Sequence, residues 1–144
     1  MATIAVELPG NNSIRINKEG RIDSSAEHAF TRGQCHALAL ALHKLTGWKL
    51  YGLYDRNEWD NGETPGHVVV RSPKGKYIDI TGDNALSNWQ YYWPEAEPHC
   101  IREQDVLKLS TLDYCEPAID AAYPYALTLS MLYAKQQLTL NDRS

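Results

Sequence analysis

Three residues of this chain have side chains suited to acyl-transfer chemistry: Cys35, His67 and Asp79. A thiolate attacks a carbonyl carbon, an imidazole carries the proton, and a carboxylate fixes the imidazole tautomer. Cys35 follows Gly33-Gln34 and opens a run rich in Ala and Leu that extends to Thr46. That places the thiol at a helix start, where free N–H groups and the macrodipole favour the thiolate and could receive an oxyanion. A lone cysteine on an apolar face is more often structural, and its position at the helix start is what argues otherwise.

His67 and Asp79 join Cys35 only if the segment between them folds in one register. His67-Val-Val-Val-Arg71, Ser72-Pro-Lys-Gly75 and Lys76-Tyr-Ile-Asp-Ile80 read as a hairpin. A loop of Pro73-Lys74-Gly75, with Gly75 left-handed, pairs Ser72 with Lys76 and sets Val69 opposite Asp79. Asp79 is then the diagonal neighbour of His67 on one face. One more loop residue would send Asp79 to the other face. Taken singly, His67 is an ordinary strand-edge histidine and Asp79 a solvated acid.

The remaining elements follow from periodicity. Ile4, Val6 and Leu8, then Pro9 to Asn12, then Ile14 and Ile16 predict a hairpin over residues 3–17. Asp23, Ser24 and Ser25 offer caps for a short helix through Phe30. The 35–46 helix carries Cys35, Leu38, Leu42 and Leu45 on one stripe and ends at Gly47. Residues 48–54 read as a strand, 55–66 as a polar loop, and 81–98 as loop or short helix. A strand about 99–102, a short helix over 103–109 and a helical segment over 117–138, which Pro124 either kinks or divides by opening a second helix, complete the chain. Ala126, Leu127, Met131 and Ala134 read as core or as a dimer contact.

Gly33-x-Cys35 on an Ala/Leu-rich helix, then a strand, then His67 heading a strand and Asp79-x-Thr81, resembles the transglutaminase-like branch of the papain-like thiol hydrolases. The resemblance covers residues 33–83. It implies a single α+β domain over 1–144: a papain-like fold with the cysteine helix packed on an antiparallel sheet, followed by a C-terminal helix. It also implies a Cys-His-Asp triad acting on amides through a thioester, by proteolysis, deamidation, hydrolysis or cross-linking. His36 stands where family members often carry an aromatic residue. Gln34 and His36, which flank the nucleophile, and Trp59, on the loop leading to His67, are candidates for oxyanion or substrate contacts. A binding or inhibitor module on the same fold is the alternative, and a subunit that oligomerises through the C-terminal helix is a third.

The net charge of −4 argues against a nucleic-acid surface, and no basic groove is visible beside the aromatic residues. No apolar run is long enough for a membrane span. His36, His43, His99, Cys100 and Cys115 lack the spacing of a metal site, so neither metal nor cofactor is expected. The expected partner is a protein, peptide or small amide. Three cysteines without framework spacing and no leader predict a cytoplasmic protein, with leaderless delivery left open.

Overall fold

A computed structural model describes residues 2–142, with side chains through residue 133. The fold is α+β. Strands β1 (Thr3–Leu8) and β2 (Asn12–Asn17) form the expected hairpin, in the register Val6↔Ile14. Helix α1 (Ser24–Thr31) is capped by Asp23, whose Oδ1 accepts the Ala26 N–H at 2.9 Å. Helix α2 (Cys35–Thr46) ends at Gly47, which is left-handed.

Strand β3 (Lys49–Asp55), a short helix α3 (Arg56–Asp60), and strands β4 (His67–Arg71), β5 (Tyr77–Asp79) and β6 (Gly82–Asn84) come next. Helix α4 (Leu86–Gln90), strand β7 (Ala96–Ile101), helix α5 (Glu103–Leu107), a 3-10 turn over Lys108–Thr111 and helix α6 (Ile119–Asp142) complete the order. The second sheet is five-stranded and antiparallel throughout, in the order β6-β5-β4-β3-β7.

The hairpin register agrees with the turn chemistry. Ser72 N–H donates to Lys76 O at 2.8 Å, Gly75 has φ +80°, and Val70 pairs with Ile78 and Arg71 with Tyr77. Only glycine takes that φ at little cost.

Several local expectations change. The polar stretch after β3 contains α3, because Glu58 Oε1 caps the Asp55 N–H at 2.6 Å and holds one turn of helix. The 81–98 segment contains β6, α4 and the start of β7, which begins three residues before the strand expected at 99. Pro98 is accommodated because β7 is an edge strand. Pro124 lies inside one continuous α6 rather than between two helices.

The single apolar stripe expected for α2 is also corrected, since every residue from Cys35 to Leu42 is buried. The helix is covered on one side by the sheet and on another by α6, so it is apolar nearly all round. The two faces of the sheet carry separate cores. Val68, Val70 and Ile78 pack with α2, whereas Leu53, Val69 and Tyr77 pack with Trp89 of α4. Within α6, Ala126 is core, while Leu127 and Met131 are exposed. Ala134 lies outside the residues whose side chains are described.

Candidate active site

Cys35 is the first residue of α2, and His67 is the first residue of β4. The helix and the α4-covered face that bears His67 belong to opposite sides of the sheet. They meet at its end, where the Cys35 thiol and the His67 ring come close enough for their charges to couple. His67 Nε2 donates to Asp79 Oδ2 at 2.8 Å.

Asp79 is nearly buried, and its second oxygen is saturated. Oδ1 accepts the Thr81 N–H at 2.8 Å, the Thr81 hydroxyl, and Asn84 Nδ2 at 3.3 Å. Burial pushes this carboxyl up, but the His67 contact and the Thr81 donors outweigh it and hold the carboxyl below its ordinary range. Trp89 lies 5.8 Å from the His67 ring and screens it from the α4 side.

Burial pushes the Cys35 thiol up, and the positive charge of His67 together with the neighbouring imidazole groups outweighs it. The thiol falls to about 6. Burial pushes His67 down, whereas the thiolate charge and the bond to Asp79 raise it to about 10. Both shifts favour a thiolate–imidazolium pair between those values.

The first turn of α2 leaves backbone donors beside the thiol. Ala37 N–H and Leu38 N–H both donate to Gln34 O, which leaves the N–H groups of Cys35 and His36 at the helix start. The Gln34 side chain does not serve there. Its Nε2 donates to Glu7 O at 2.9 Å and Glu116 O at 3.2 Å, and its Oε1 accepts the Ala118 N–H at 3.0 Å. It is a buried strut between the hairpin, α2 and the segment before α6.

The His36 ring is likewise buried, with Nε2 donating to Cys115 O at 2.7 Å and its edge against Tyr114. A carbonyl only accepts, so Nε2 carries the proton. Trp59 stands away from Cys35. It stacks on His99 at 4.2 Å between centroids and lines neither cleft beside the thiol.

Two clefts meet at Thr31 and Gly66. One, of about 400 Å³, is lined on the far side by His67, Asn84, Asn88, Trp89, Tyr92 and Trp93. The other, of about 260 Å³, reaches Cys35 between Pro9, Gly33, Tyr114 and Cys115. Gly66 keeps the passage open, because a Cβ there would meet Trp93 Cη2 at 2.8 Å.

Thr81 of the Asp79-x-Thr81 motif, Asn84 and Trp89 complete the site. A threonine two residues after the acid is a local signal for a side-chain turn, but Asn84 and Trp89 arrive only through β6 and α4. Comparison with family models, with curated proteins and with solved structures gives no match, so the reading of this site rests on its own residues.

Proposed function

We propose that the chain is a cysteine-dependent hydrolase or acyltransferase acting on amides, on a papain-like fold of the transglutaminase-like kind. The observation that carries this reading is the His67 ring, bonded to Asp79 and set at the sheet end where Cys35 opens α2. The thiolate attacks the carboxamide carbon, and the carbonyl oxygen becomes an oxyanion facing the Cys35 and His36 N–H groups. Collapse expels the amine, which takes its proton from His67 and leaves a thioester on Cys35. His67 then accepts a proton from water or an amine as that nucleophile attacks, and the acyl group leaves.

The proton donor stands on the leaving-group side, so the amine portion occupies the aromatic cleft beside His67. The acyl portion lies toward Pro9 and Tyr114. The described cysteines are all free thiols, which fits a reducing, cytoplasmic compartment.

The decisive experiment incubates candidate proteins and peptide amides with the wild type and Cys35→Ala. Mass spectrometry then reads cleavage, deamidation or cross-linking. Products and a hydroxylamine-sensitive adduct on Cys35 in the wild type alone support the proposal. An iodoacetamide rate at Cys35 that is no faster near neutral pH than that of Cys100 overturns it.

A binding module is the second reading. It is favoured by Tyr91 and Tyr92, which are 91% and 72% exposed beside the cleft. Retained partner binding by Cys35→Ala, with no product from the wild type, would select it.

A further inference from the structure

Arg71 ends β4, at the end of the strand remote from His67 and about 13 Å from it along the backbone. Lys49 stands directly opposite Arg71 in the register. The Arg71 guanidinium carbon lies 5.8 Å from the Tyr51 ring centroid and 5.6 Å from that of Tyr77. Gly75 gives it room, since a Cβ there would come within 3.3 Å of Arg71 Nη2. The guanidinium is therefore held before any ligand arrives.

Beside it is a cleft of about 400 Å³, lined by Trp48, Lys49, Tyr51, Arg71, Ser72 and Gly75. No carboxylate lines it, and among the described residues no ion pair involves Lys49, Arg71, Lys74 or Lys76. Residues 45–54 and 64–78 hold Lys49, Arg71, Lys74 and Lys76 and no acid, whereas Lys44, just before them, is paired with Glu103 at 3.6 Å. A net charge of −4 concealed this basic end. Antiparallel pairing of β3 with β4, and the turn at 72–76, bring the cations together.

We propose that this cleft is a second binding site, for a phosphate ester that carries a flat ring, of the nucleoside-phosphate class. Arg71 and Lys49 take the phosphate, and the ring stacks on the half-buried Trp48. The planar fork of arginine matches phosphate oxygens, and its fixation by two tyrosines reduces the entropy lost on binding. The cleft volume is in the range of small-ligand sites. This site is independent of the chemistry at Cys35.

The test is calorimetric titration of the full chain with ATP, adenosine and tripolyphosphate separately, at low and high salt. The expected result is saturable ATP binding that weakens with salt, with adenosine and tripolyphosphate each about tenfold weaker or worse. Arg71→Gln and Lys49→Gln, both exposed positions, should each weaken ATP by about tenfold without changing the thermal melt. Arg71→Lys should fall between Arg71→Gln and the wild type.

Four outcomes overturn the proposal. ATP shows no saturable binding in the millimolar range, or Arg71→Gln binds as the wild type does. Tripolyphosphate binds as tightly as ATP, or oligothymidylate binds far more tightly than ATP, which would make the cleft a surface for polymers.

Discussion

At the scale of single residues, the pair Cys35–His67 sets a pH window. The thiolate contribution is lost as pH falls through about 6, and the imidazolium contribution is lost as pH rises through about 10. Against unfolded values of 9.0 and 6.5, the folded and unfolded states bind equal numbers of protons between about 6.5 and 9. The pair therefore adds little pH dependence to stability there. Alkylation of Cys35, read by peptide mapping at graded pH, is expected to rise with a midpoint near 6. Asp79→Asn removes the negative charge that stabilises the imidazolium, so the midpoint should move up toward the ordinary thiol value. Turnover of an amide substrate should then fall by roughly 10²–10⁴. Thr81 hydroxyl and Asn84 share the burden of a buried carboxylate, so their loss should raise the apparent acidic limb more modestly.

At the scale of elements, the turn at 73–75 controls the site. Inserting one glycine between Lys74 and Gly75 shifts the β4–β5 register and turns Asp79 to the α2 face. The expected outcome is loss of the low-pH alkylation of Cys35 together with a lowered melting temperature. Both are read on the same sample by labelling and circular dichroism.

That turn was legible in the sequence because Pro, Lys and Gly act locally, and the same holds for the Asp23 cap and the Gly47 stop. Asp55-x-x-Glu58 was a legible capping pair inside a stretch read as loop. Strand β6 was not legible, since Gly82-Asp83-Asn84 has poor strand formers and exists only by pairing with β5. The three chemical residues were therefore legible, whereas the Asn84 support of Asp79 and the roof of His67 were not. Gln34 shows the limit from the other side. Its place beside the nucleophile suggested an oxyanion role, and only long-range packing reveals that it serves as a strut.

At the scale of the whole molecule, α6 is what closes the helical layer. Tyr125 is fully buried, its hydroxyl donates to Asn17 O at 2.7 Å, and its ring lies 5.3 Å from that of Phe30. Thr128 Oγ1 donates to Gly20 O at 2.9 Å. Residues more than a hundred apart in sequence are thus joined through one helix. Tyr125→Ala is expected to cost about 3–5 kcal/mol in denaturant unfolding, by cavity formation plus an orphaned carbonyl. Tyr125→Phe should cost only about 1–2 kcal/mol, since it removes the hydrogen bond and keeps the ring. The exposed Leu127 and Met131 on the outer side of the same helix take no part in that closure.

The thiol and its base come from opposite sides of one sheet and meet only past its end. Neither side can supply the reactive pair by itself, and a small slip of either against the strands separates sulfur from nitrogen. Nucleophilicity at Cys35 is thus a reporter of assembly. A chain with its secondary structure formed but one layer undocked would carry an inert, neutral thiol, and the fully docked chain would carry a thiolate. On the proposed function, such coupling would keep the nucleophile silent on a partly opened chain.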